Sequence, residues 1–354
     1  MRAAVPSPEE LRMPADPAIA RTPLRVAAFT SGAAVPAARL RVRQYIAPLA
    51  GLGIAVHESW PSLGAFPPHQ RTLRPAWLVG TVAQRLPRIA AGWSADITLL
   101  QREMVSTLPT LEGWTRRPRL VDIDDALHLH RSGLVARRLA ALADIIVVGN
   151  SWLAEKWGQW NPALEILPTP VDTDRYTVRP LPEQATIGWI GSGVNLRYLA
   201  GIAPALSRVV DRFPCTVIAV CSDRPPVLSG LPVHYVPWSE HTEADFLASI
   251  TIGIMPLEDG PWERGKCSFK MLQYMATGRP CVVSPVGMNG ELLREAELGR
   301  PATTIGQWTE ALSSLIADRA AAARMGAAGR ALAVARYSVA ALAPRLAELL
   351  RRLG

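Results

Sequence analysis

The chain has 354 residues, of which 49% are hydrophobic and 19% charged, and its formal net charge is +8. This composition excludes an intrinsically disordered protein, and the length favours two domains over one. The positive charge is compatible with anionic ligands or an acidic membrane face. The sequence contains no RNP, zinc-finger or heptad pattern that would favour nucleic acid.

Residues 1–22 contain prolines and charges but no apolar segment, which predicts a flexible tail. No stretch reaches the roughly 18 uninterrupted apolar residues that span a bilayer. We therefore expect a cytoplasmic protein, or one that lies peripherally on the inner face of a membrane. The pairs Arg116-Arg117 and Arg137-Arg138 are candidates for membrane contact, although exposed arginine pairs are common in a chain so rich in arginine. The sequence does not indicate an oligomeric state.

Apolar runs alternate with helical periodicity over residues 23–170. The runs that predict strands are 26–29, 97–100, 120–121 and 145–148, and a helix is predicted over about 37–52. Continuous apolar strands between helices are typical of a parallel sheet that is covered on both faces. These residues therefore predict a first α/β domain.

A second alternating series follows a proline-rich stretch, in which residues 171–183 have the composition of a linker. Within residues 184–335, strands are predicted at 187–190, 216–220, 233–236, 252–255 and 281–283, and helices over about 196–212 and 269–277. Residues 336–354 predict a final helix, with Ser338 as its N-cap. Two doubly wound domains would place a ligand in the cleft between them.

Only three of the 38 basic residues are lysine, and two of these, Lys266 and Lys270, lie four residues apart. An ammonium group on a flexible stem suits a phosphate oxygen. The segment also leads from a glycine-containing loop into a predicted helix, whose first N–H groups favour an anion. The alternative is that two lysines fall together by chance on a solvated helix face.

A glycine-containing turn ends the first strand of the second domain. The strand at 187–190 is followed by Gly191, Ser192 and Gly193, and Arg197 lies in the next helix. Glycine lets a backbone approach a ligand closely, and a helix start supplies hydrogen-bond donors. Many α/β turns are rich in glycine without binding anything. Together with the two lysines, Arg197 would bring three cations to one pyrophosphate.

Several segments resemble the GT-B glycosyltransferases, in particular glycosyltransferase family 4 (group 1) and its neighbours. Two segments of the second half resemble the donor domain of that family. They are residues 187–199 (IGWIGSGVNLRYL) and 253–287 (GIMPLEDGPWERGKCSFKMLQYMATGRPCVVSPVG). In the first half, residues 121–126 (VDIDDA), 148–155 (VGNSWLAE) and 168–172 (PTPVD) resemble the same proteins in the same order. The likeness covers roughly residues 24–350.

The resemblance implies a GT-B fold, in which two Rossmann-like domains face each other across a cleft. The first domain would be the acceptor side and the second the donor side, with the final helix packing back on the first domain. The implied activity is transfer of a sugar from a nucleotide-diphosphate sugar to a hydroxyl acceptor, with retention of the anomeric configuration. The acceptor would be a glycan or lipid-linked glycan in surface polysaccharide synthesis. The donor is a substrate, and neither a cofactor nor a metal is implied.

The resemblance also implies roles for single residues. Arg197 would contact the donor diphosphate, and Lys266 lies in the loop that approaches the phosphates. Gln273 stands where the family usually has a glutamate that holds the ribose, and a glutamine can also accept a hydrogen bond from a hydroxyl. The alternative is that Gln273 is a helix-surface residue. The family's upstream glutamate falls at Gly265, and Glu263 is a candidate to replace it through a loop shift. The predicted donor-binding residues are Gly191, Ser192, Arg197, Lys266, Lys270, Gln273, Gly287 and Asn289.

Three carboxylates, Asp122, Asp124 and Asp125, crowd the end of a predicted strand. Like charges at this distance repel and need a compensating purpose. We predict Asp124 and Asp125 as catalytic residues, acting as acceptor-side base, orienter or electrostatic partner. One alternative adds His128 and His130 as metal ligands. Another alternative makes Asp124 or Asp125 a simple helix cap. Asn289 has the same alternative, as a cap and not a ligand.

Other residues near strand ends are weaker candidates. Arg39 or Arg43 would contact an anionic acceptor such as a lipid pyrophosphate, and residues 101–103 either touch the acceptor or form an ion-paired turn. Trp238 would flank the nucleotide base, although buried packing is the favoured interpretation. The alternative to a transferase is a GT-B protein that binds nucleotide or glycan without turnover, and the missing carboxylate at Gly265 is its main support.

Overall fold

The computed structural model describes residues 22–106, 108–221, 228, 231 and 233–354. The predicted tail over residues 1–22 lies outside the described residues except for its last one. Among the described residues, no helix combines the length and the apolar character that crossing a bilayer requires.

The first domain is built on a parallel six-stranded sheet with the strand order β2-β1-β3-β4-β5-β6. Its strands are β1 (Leu24–Phe29), β2 (Ile54–Ser59), β3 (Ile97–Gln101), β4 (Arg119–Ile123), β5 (Ile145–Val148) and β6 (Leu164–Ile166). Its helices are α1 (Pro36–Arg41), α2 (Ile46–Gly51), α3 (Arg74–Gly92), α4 (Leu134–Leu142) and α5 (Ser151–Gly158). Every residue of β3 and β4 is buried, as expected for strands with helices on both faces.

The second domain repeats this architecture, with the strand order β12-β11-β10-β7-β8-β9 in a second parallel sheet. Its strands are β7 (Ala185–Gly191), β8 (Cys215–Cys221), β9 (Val233–Pro237), β10 (Ile252–Met255), β11 (Cys281–Val283) and β12 (Gly299–Pro301). Its helices are α6 (Leu196–Gly201), α7 (Ala203–Arg212), α8 (Glu243–Ser249), α9 (Pro261–Arg264), α10 (Phe269–Ala276), α11 (Met288–Glu295), α12 (Ile305–Ala317) and α13 (Arg319–Leu332), and α14 (Val339–Leu353) ends the chain.

Two predicted helices are interrupted. The prediction of one helix over residues 37–52 is wrong, because α1 ends at Arg41 and α2 begins at Ile46. Pro48 lies in the first turn of α2, where its missing N–H breaks no hydrogen bond within the helix, whereas in one long helix it would lose a bond and clash with the carbonyl four residues earlier. It therefore favours a new helix start here. The helix predicted over 196–212 divides in the same way, with Pro204 in the first turn of α7.

The last helix returns to the first domain, as the resemblance implies. Ser338 caps α14 by accepting a hydrogen bond from the Ala341 N–H at 3.0 Å. Leu346 and Leu350 of α14 are buried in one apolar cluster with Val26 and Ile97 of the first sheet. The first strand and the last helix of the described residues thus belong to the same domain.

The two domains also share a buried apolar cluster beside the cleft. It includes Ile123 and Leu153 of the first domain and Met255 and Met271 of the second. Burying methionine and aliphatic side chains from both sides stabilises one relative arrangement of the domains. The cleft therefore has a defined shape in this structure.

Candidate active site between the two domains

A cavity of about 690 Å³ lies where the carboxyl ends of the two sheets face each other. Both domains line it, the first through α1, Phe66, Asp124 and Asp125, and the second through the turn after β7 and the start of α10. The predicted site residues on its wall are Asp124, Asp125, Gly191, Ser192, Lys266, Lys270 and Gln273. Arg197, Gly287 and Asn289 lie nearby but are not among the described residues that line the cavity.

Lys266 lies in the loop between α9 and α10, Lys270 lies in the first turn of α10, and both residues line the cavity. The start of a helix adds the positive end of its dipole to such a corner. Lys156 pairs with Glu155, whereas no ion pair of Lys266 or Lys270 occurs within the described ranges. Burial, together with the neighbouring Lys266 ammonium, lowers the pKa of Lys270 to about 8. Asp125 opposes this lowering of the pKa only as the smallest of the three influences. This corner of the cleft therefore carries positive charge that is not neutralised by an ion pair in the described residues.

Two buried asparagines hold the lysine loop in place. Asn150, the N-cap of α5 in the first domain, donates from Nδ2 to the Lys266 carbonyl at 3.0 Å and to the Arg264 carbonyl at 3.2 Å. From the other side, Asn289 accepts a hydrogen bond from the Ser268 hydroxyl at 2.6 Å. The predicted ligand Asn289 is thus fully buried behind the loop, where it positions backbone rather than facing the cavity.

Gly287 supports the loop in a similar way. Its φ of +53° lies in the left-handed region, and a Cβ there would lie 2.7 Å from the Arg264 carbonyl oxygen. Only glycine lets this segment approach the loop so closely. Gly287 therefore contributes close packing, and the structure does not place it on the cavity wall.

Arg197 lies beside the cavity and faces an acidic partner. Its guanidinium donates to Glu263 Oε1 at 3.1 Å and to the Tyr198 hydroxyl at 2.8 Å, and the side chain is 60% exposed. The predicted convergence of three cations is thus reduced to two in this structure. Arg197 remains on the same side of the cleft, since Glu263 lies three residues before Lys266.

The segment that lacks the upstream glutamate is closely packed. A Cβ at Gly265 would lie 2.8 Å from Ala126 Cβ and 3.1 Å from Ala126 N, so a larger side chain does not fit against the first domain. Glu263 is buried against Arg197 and Tyr198 and is not a cavity residue. The hypothesis that a loop shift lets Glu263 replace the missing carboxylate is therefore not realised in this arrangement.

On the opposite wall, Arg102 holds both predicted catalytic carboxylates. Its Nε donates to Asp124 Oδ1 at 2.6 Å, and its Nη2 donates to Asp125 Oδ2 at 2.8 Å. Arg102 adopts a left-handed φ of 65°, an uncommon conformation for a residue other than glycine. Burial raises the pKa of Asp125, with Asp124 adding to the effect and Arg102 opposing it. The arrangement fixes two carboxylates and keeps a raised pKa on one of them.

The remaining charged candidates divide between structural and cleft positions. Asp122 forms a buried ion pair with Arg41, and Arg43 pairs with Glu58 at 2.8 Å, so neither arginine reaches the cavity wall. Arg39 does line the cavity and donates to Glu240 Oε1 at 3.0 Å. Of the arginines proposed for an anionic acceptor, only Arg39 is placed for it among the described residues.

The two histidines of the metal hypothesis lie against tryptophans. The His128 ring stands 5.1 Å from that of Trp152, and the His130 ring 5.3 Å from that of Trp262. Within the part of the chain that the structure describes, no group of three or more His, Cys, Asp or Glu side chains is placed to hold a metal ion.

A chain of hydrogen bonds connects Gln273 to the far end of the cleft. Gln273 Nε2 donates to the Tyr176 hydroxyl at 2.8 Å, and that hydroxyl donates to Glu243 Oε1 at 2.9 Å. Trp238 Nε1 donates to the other Glu243 oxygen at 2.8 Å. The favoured interpretation of Trp238 as buried packing is wrong, because the residue is 37% exposed and lines the cavity beneath Arg39. Gln273 is buried and part of a network, not a helix-surface residue.

Sequence reasoning missed two residues of this site, Asn150 and Glu243, and it named Arg102 only within residues 101–103. Asn150 carried a usable signal, since an asparagine after a buried strand and before a helix is a typical N-cap. Arg102 forms the ion pairs that one interpretation of residues 101–103 predicts, but its partners lie 22 and 23 positions away and have no sequence pattern. Glu243 meets Tyr176 across 67 positions, and nothing in its surroundings marks it.

Residues 184–318 match the family described as "Glycosyl transferases group 1". This range contains the lysine loop, the turn after β7 and Gln273. No curated protein sequence matches the chain.

Solved structures resemble the whole arrangement. Sucrose-phosphate synthase from Thermosynechococcus elongatus superposes with a TM-score of 0.71 and 16% identity, covering 93% of this chain and 98% of that one. HepE from Anabaena in complex with UDP-glucose superposes with a TM-score of 0.68 and 16% identity, covering 93% of this chain and 100% of that one. WaaG, a glycosyltransferase involved in lipopolysaccharide biosynthesis, superposes with a TM-score of 0.64 and 13% identity, covering 92% of this chain and 99% of that one. The second domain therefore matches the group 1 glycosyl transferases over residues 184–318, and the two parallel sheets that face each other across a cleft have the GT-B fold of these solved structures.

Proposed function

We propose that this glycosyltransferase moves a sugar from a nucleotide-diphosphate sugar to a hydroxyl acceptor, with retention of the anomeric configuration. The observation that carries the proposal is the unpaired Lys266 and Lys270 at the start of α10. A diphosphate would supply the missing counter-charge, and the same cations would stabilise the charge that develops as the nucleotide leaves. These groups supply the positive charge that a metal would otherwise bring, so we expect activity to persist in EDTA.

The donor to test first is UDP-glucose, because the similar HepE was solved with that molecule. The diphosphate would lie against the lysine loop, and Gln273 would orient the nucleoside through the Oε1 that its bond to Tyr176 leaves available. The acceptor would approach from the first domain, where Asp124, Asp125 and Arg39 line the cavity. Asp125 is the better candidate for acceptor-side base, since burial raises its pKa and a carboxylate with a raised pKa is a stronger base.

We further propose that the acceptor is a glycan or lipid-linked glycan of surface polysaccharide synthesis, handled at the cytoplasmic side of a membrane. The similarity to WaaG favours this class, since that enzyme is involved in lipopolysaccharide biosynthesis. Arg39 fits an acceptor with an anionic group, because it is the first-domain cation on the cavity wall.

The competing function is nucleotide binding without turnover, which is favoured by the tight packing that excludes a carboxylate at position 265. The purified chain is incubated with UDP-, GDP- and ADP-sugars, with and without glycan and lipid-linked acceptors, and the released nucleotide is measured. Acceptor-dependent release supports transfer, and the anomeric proton signals of the product report retention or inversion. Tight donor binding without release on any acceptor would support the binding protein instead.

A further inference from the structure

A long segment of the first domain contains no acidic residue. Residues 59–95 lack Asp and Glu altogether, although they include Arg71, Arg74, Arg85 and Arg88. Arg85 is buried, where it donates to the Thr30 and Met104 carbonyls. Arg71 and Arg74 are exposed, so the outer surface of this segment is positively charged.

The same segment forms α3, whose outward face is apolar. The exposed positions that follow one another at helical spacing along this face are Ala76, Val79, Ala83, Leu86, Pro87 and Ala90. The opposite face buries Thr81, Arg85 and Ile89 against the domain. A surface helix normally presents charged or polar side chains to water, so an uncharged outer face indicates that something covers it.

The apolar face continues beyond both ends of α3. At its start, Leu63 lies against Gly80, and Trp77 Nε1 donates to the Leu63 carbonyl at 3.2 Å. At its end, Trp93 Nε1 donates to the Trp114 carbonyl at 3.0 Å. We call the exposed apolar side chains Leu63, Phe66, Val79, Leu86, Trp93 and Trp114 the α3 surface. Val79 is 69% exposed and Trp114 62%, so these large side chains project into the surroundings.

We propose that the α3 surface lies on an anionic lipid membrane. An apolar helix face flanked by arginines and by exposed tryptophans is the composition of an element that rests in the headgroup region. The absence of acidic side chains removes the repulsion that an anionic bilayer would otherwise meet. This inference does not depend on the proposed reaction, because it concerns the outer face of the first domain, where only Phe66 of the α3 surface also lines the cavity.

A second copy of the chain suits this surface less well than a bilayer does. A two-fold dimer through α3 would place Arg71 and Arg74 of each copy against the same acid-free segment of the other, with no carboxylate to compensate their charge. Phe66 belongs to both the α3 surface and the cavity wall. Membrane contact would therefore place the mouth of the cleft next to the lipid.

The test uses the intact chain and vesicles of phosphatidylcholine, with or without phosphatidylglycerol, separated by sedimentation. We expect binding to the anionic vesicles that weakens with added salt. Val79→Glu/Leu86→Glu should lower the partition at least about tenfold, because the variant adds charge to the inserted face. Arg71→Ser/Arg74→Ser should lower it by about 30-fold at low salt. The matched control is Val178→Glu/Val334→Glu, which changes two exposed valines outside the α3 surface.

Wild-type binding by Val79→Glu/Leu86→Glu, or equal loss in the control, would overturn the proposal, as would failure of the wild-type chain to bind anionic vesicles. A wild-type dimer that this variant dissociates, without vesicle binding, would make the surface an interface between copies. The affinity of Val79→Glu/Leu86→Glu for UDP-glucose is measured in parallel, so that damage to the cleft is distinguished from loss of membrane contact.

Discussion

The two walls of the cleft treat charge in opposite ways. On the second domain, Lys266 and Lys270 face the cavity without a carboxylate partner among the described residues. On the first domain, Asp124 and Asp125 share the guanidinium of Arg102. The wall of the second domain therefore carries positive charge that no ion pair of the described residues neutralises, whereas the negative charge on the wall of the first domain is neutralised and oriented by Arg102.

This difference assigns different tasks to the two walls. Desolvation of an uncompensated ammonium costs free energy, and an arriving anion recovers part of it, so the lysine wall is suited to binding. A carboxylate held by a two-pronged guanidinium keeps a fixed direction, so the aspartate wall is suited to positioning or proton transfer. Asn150 links the two, because it belongs to the first domain and holds the backbone of the lysine loop.

The sharpest test of the aspartate wall is Asp125→Asn. If Asp125 is the acceptor-side base, kcat should fall about 10²- to 10⁴-fold, while the donor Kd stays unchanged. Steady-state kinetics and calorimetry with UDP-glucose measure the two effects. Asp245→Asn, at an exposed carboxylate paired with Arg179, is the matched control. Turnover at the wild-type level in Asp125→Asn would remove the carboxylate from the mechanism.

The lysine wall should show the reverse pattern. Lys266→Ala and Lys270→Ala should each weaken UDP-glucose binding about 10- to 150-fold, because each removes a charged hydrogen bond to a phosphate oxygen. The third lysine provides the control, since Lys156 pairs with Glu155 on the surface of the first domain. Calorimetric affinities that are equal in Lys266→Ala, Lys270→Ala and Lys156→Ala would contradict the assignment of the donor site.

The sequence predicts the parts of this molecule that depend on local pattern. Residues 145–148 form the predicted strand, and the helix predicted over 269–277 is observed as Phe269–Ala276. Each has an apolar run or a helical start that its own residues define. Pro48 could have indicated the break between α1 and α2, because its effect on a helix is also local.

The site was predictable only as far as strand ends and motif positions allow. These signals placed Asp125 and Lys266 in the predicted site, and both residues line the cavity. The direction of a side chain, however, also depends on partners far away in the chain. Arg197 turns toward Glu263, 66 positions away, and Asn289 turns toward Ser268, 21 positions away. Such pairings result from how the elements pack, and no periodicity records them.

The hydrogen bonds from Gln273 to Tyr176 and from Tyr176 to Glu243 have a fixed direction, which a substitution at position 273 would disturb. The Tyr176 hydroxyl donates its one proton to Glu243, so its oxygen must accept a hydrogen bond from residue 273. A glutamine amide can donate that bond, whereas an ionised carboxylate cannot. Gln273→Glu should therefore weaken UDP-glucose binding about tenfold, because it leaves a buried acceptor without a donor.

The double variant Gln273→Glu/Glu243→Gln reverses both hydrogen bonds and keeps the net charge, so it should recover most of that affinity. Calorimetry on the two single variants and the double variant gives the coupling directly. Additive losses in the double variant would show that Tyr176 does not relay a fixed hydrogen-bond direction.

The smallest predicted effect is the pH dependence of donor binding. The pKa of Lys270 is about 8 without a ligand, because burial and Lys266 disfavour its charged form. A diphosphate favours that form, so the pKa rises on binding, and the complex holds a proton that the free protein loses above about pH 8. Affinity for UDP-glucose should therefore fall as the pH rises through 8, by up to about tenfold per pH unit. Lys270→Arg keeps its charge over this range and should bind with little pH dependence. Affinity for UDP-glucose is measured by calorimetry across this pH range for both proteins. The same pH dependence in the wild type and in Lys270→Arg would show that this lysine does not face the phosphates.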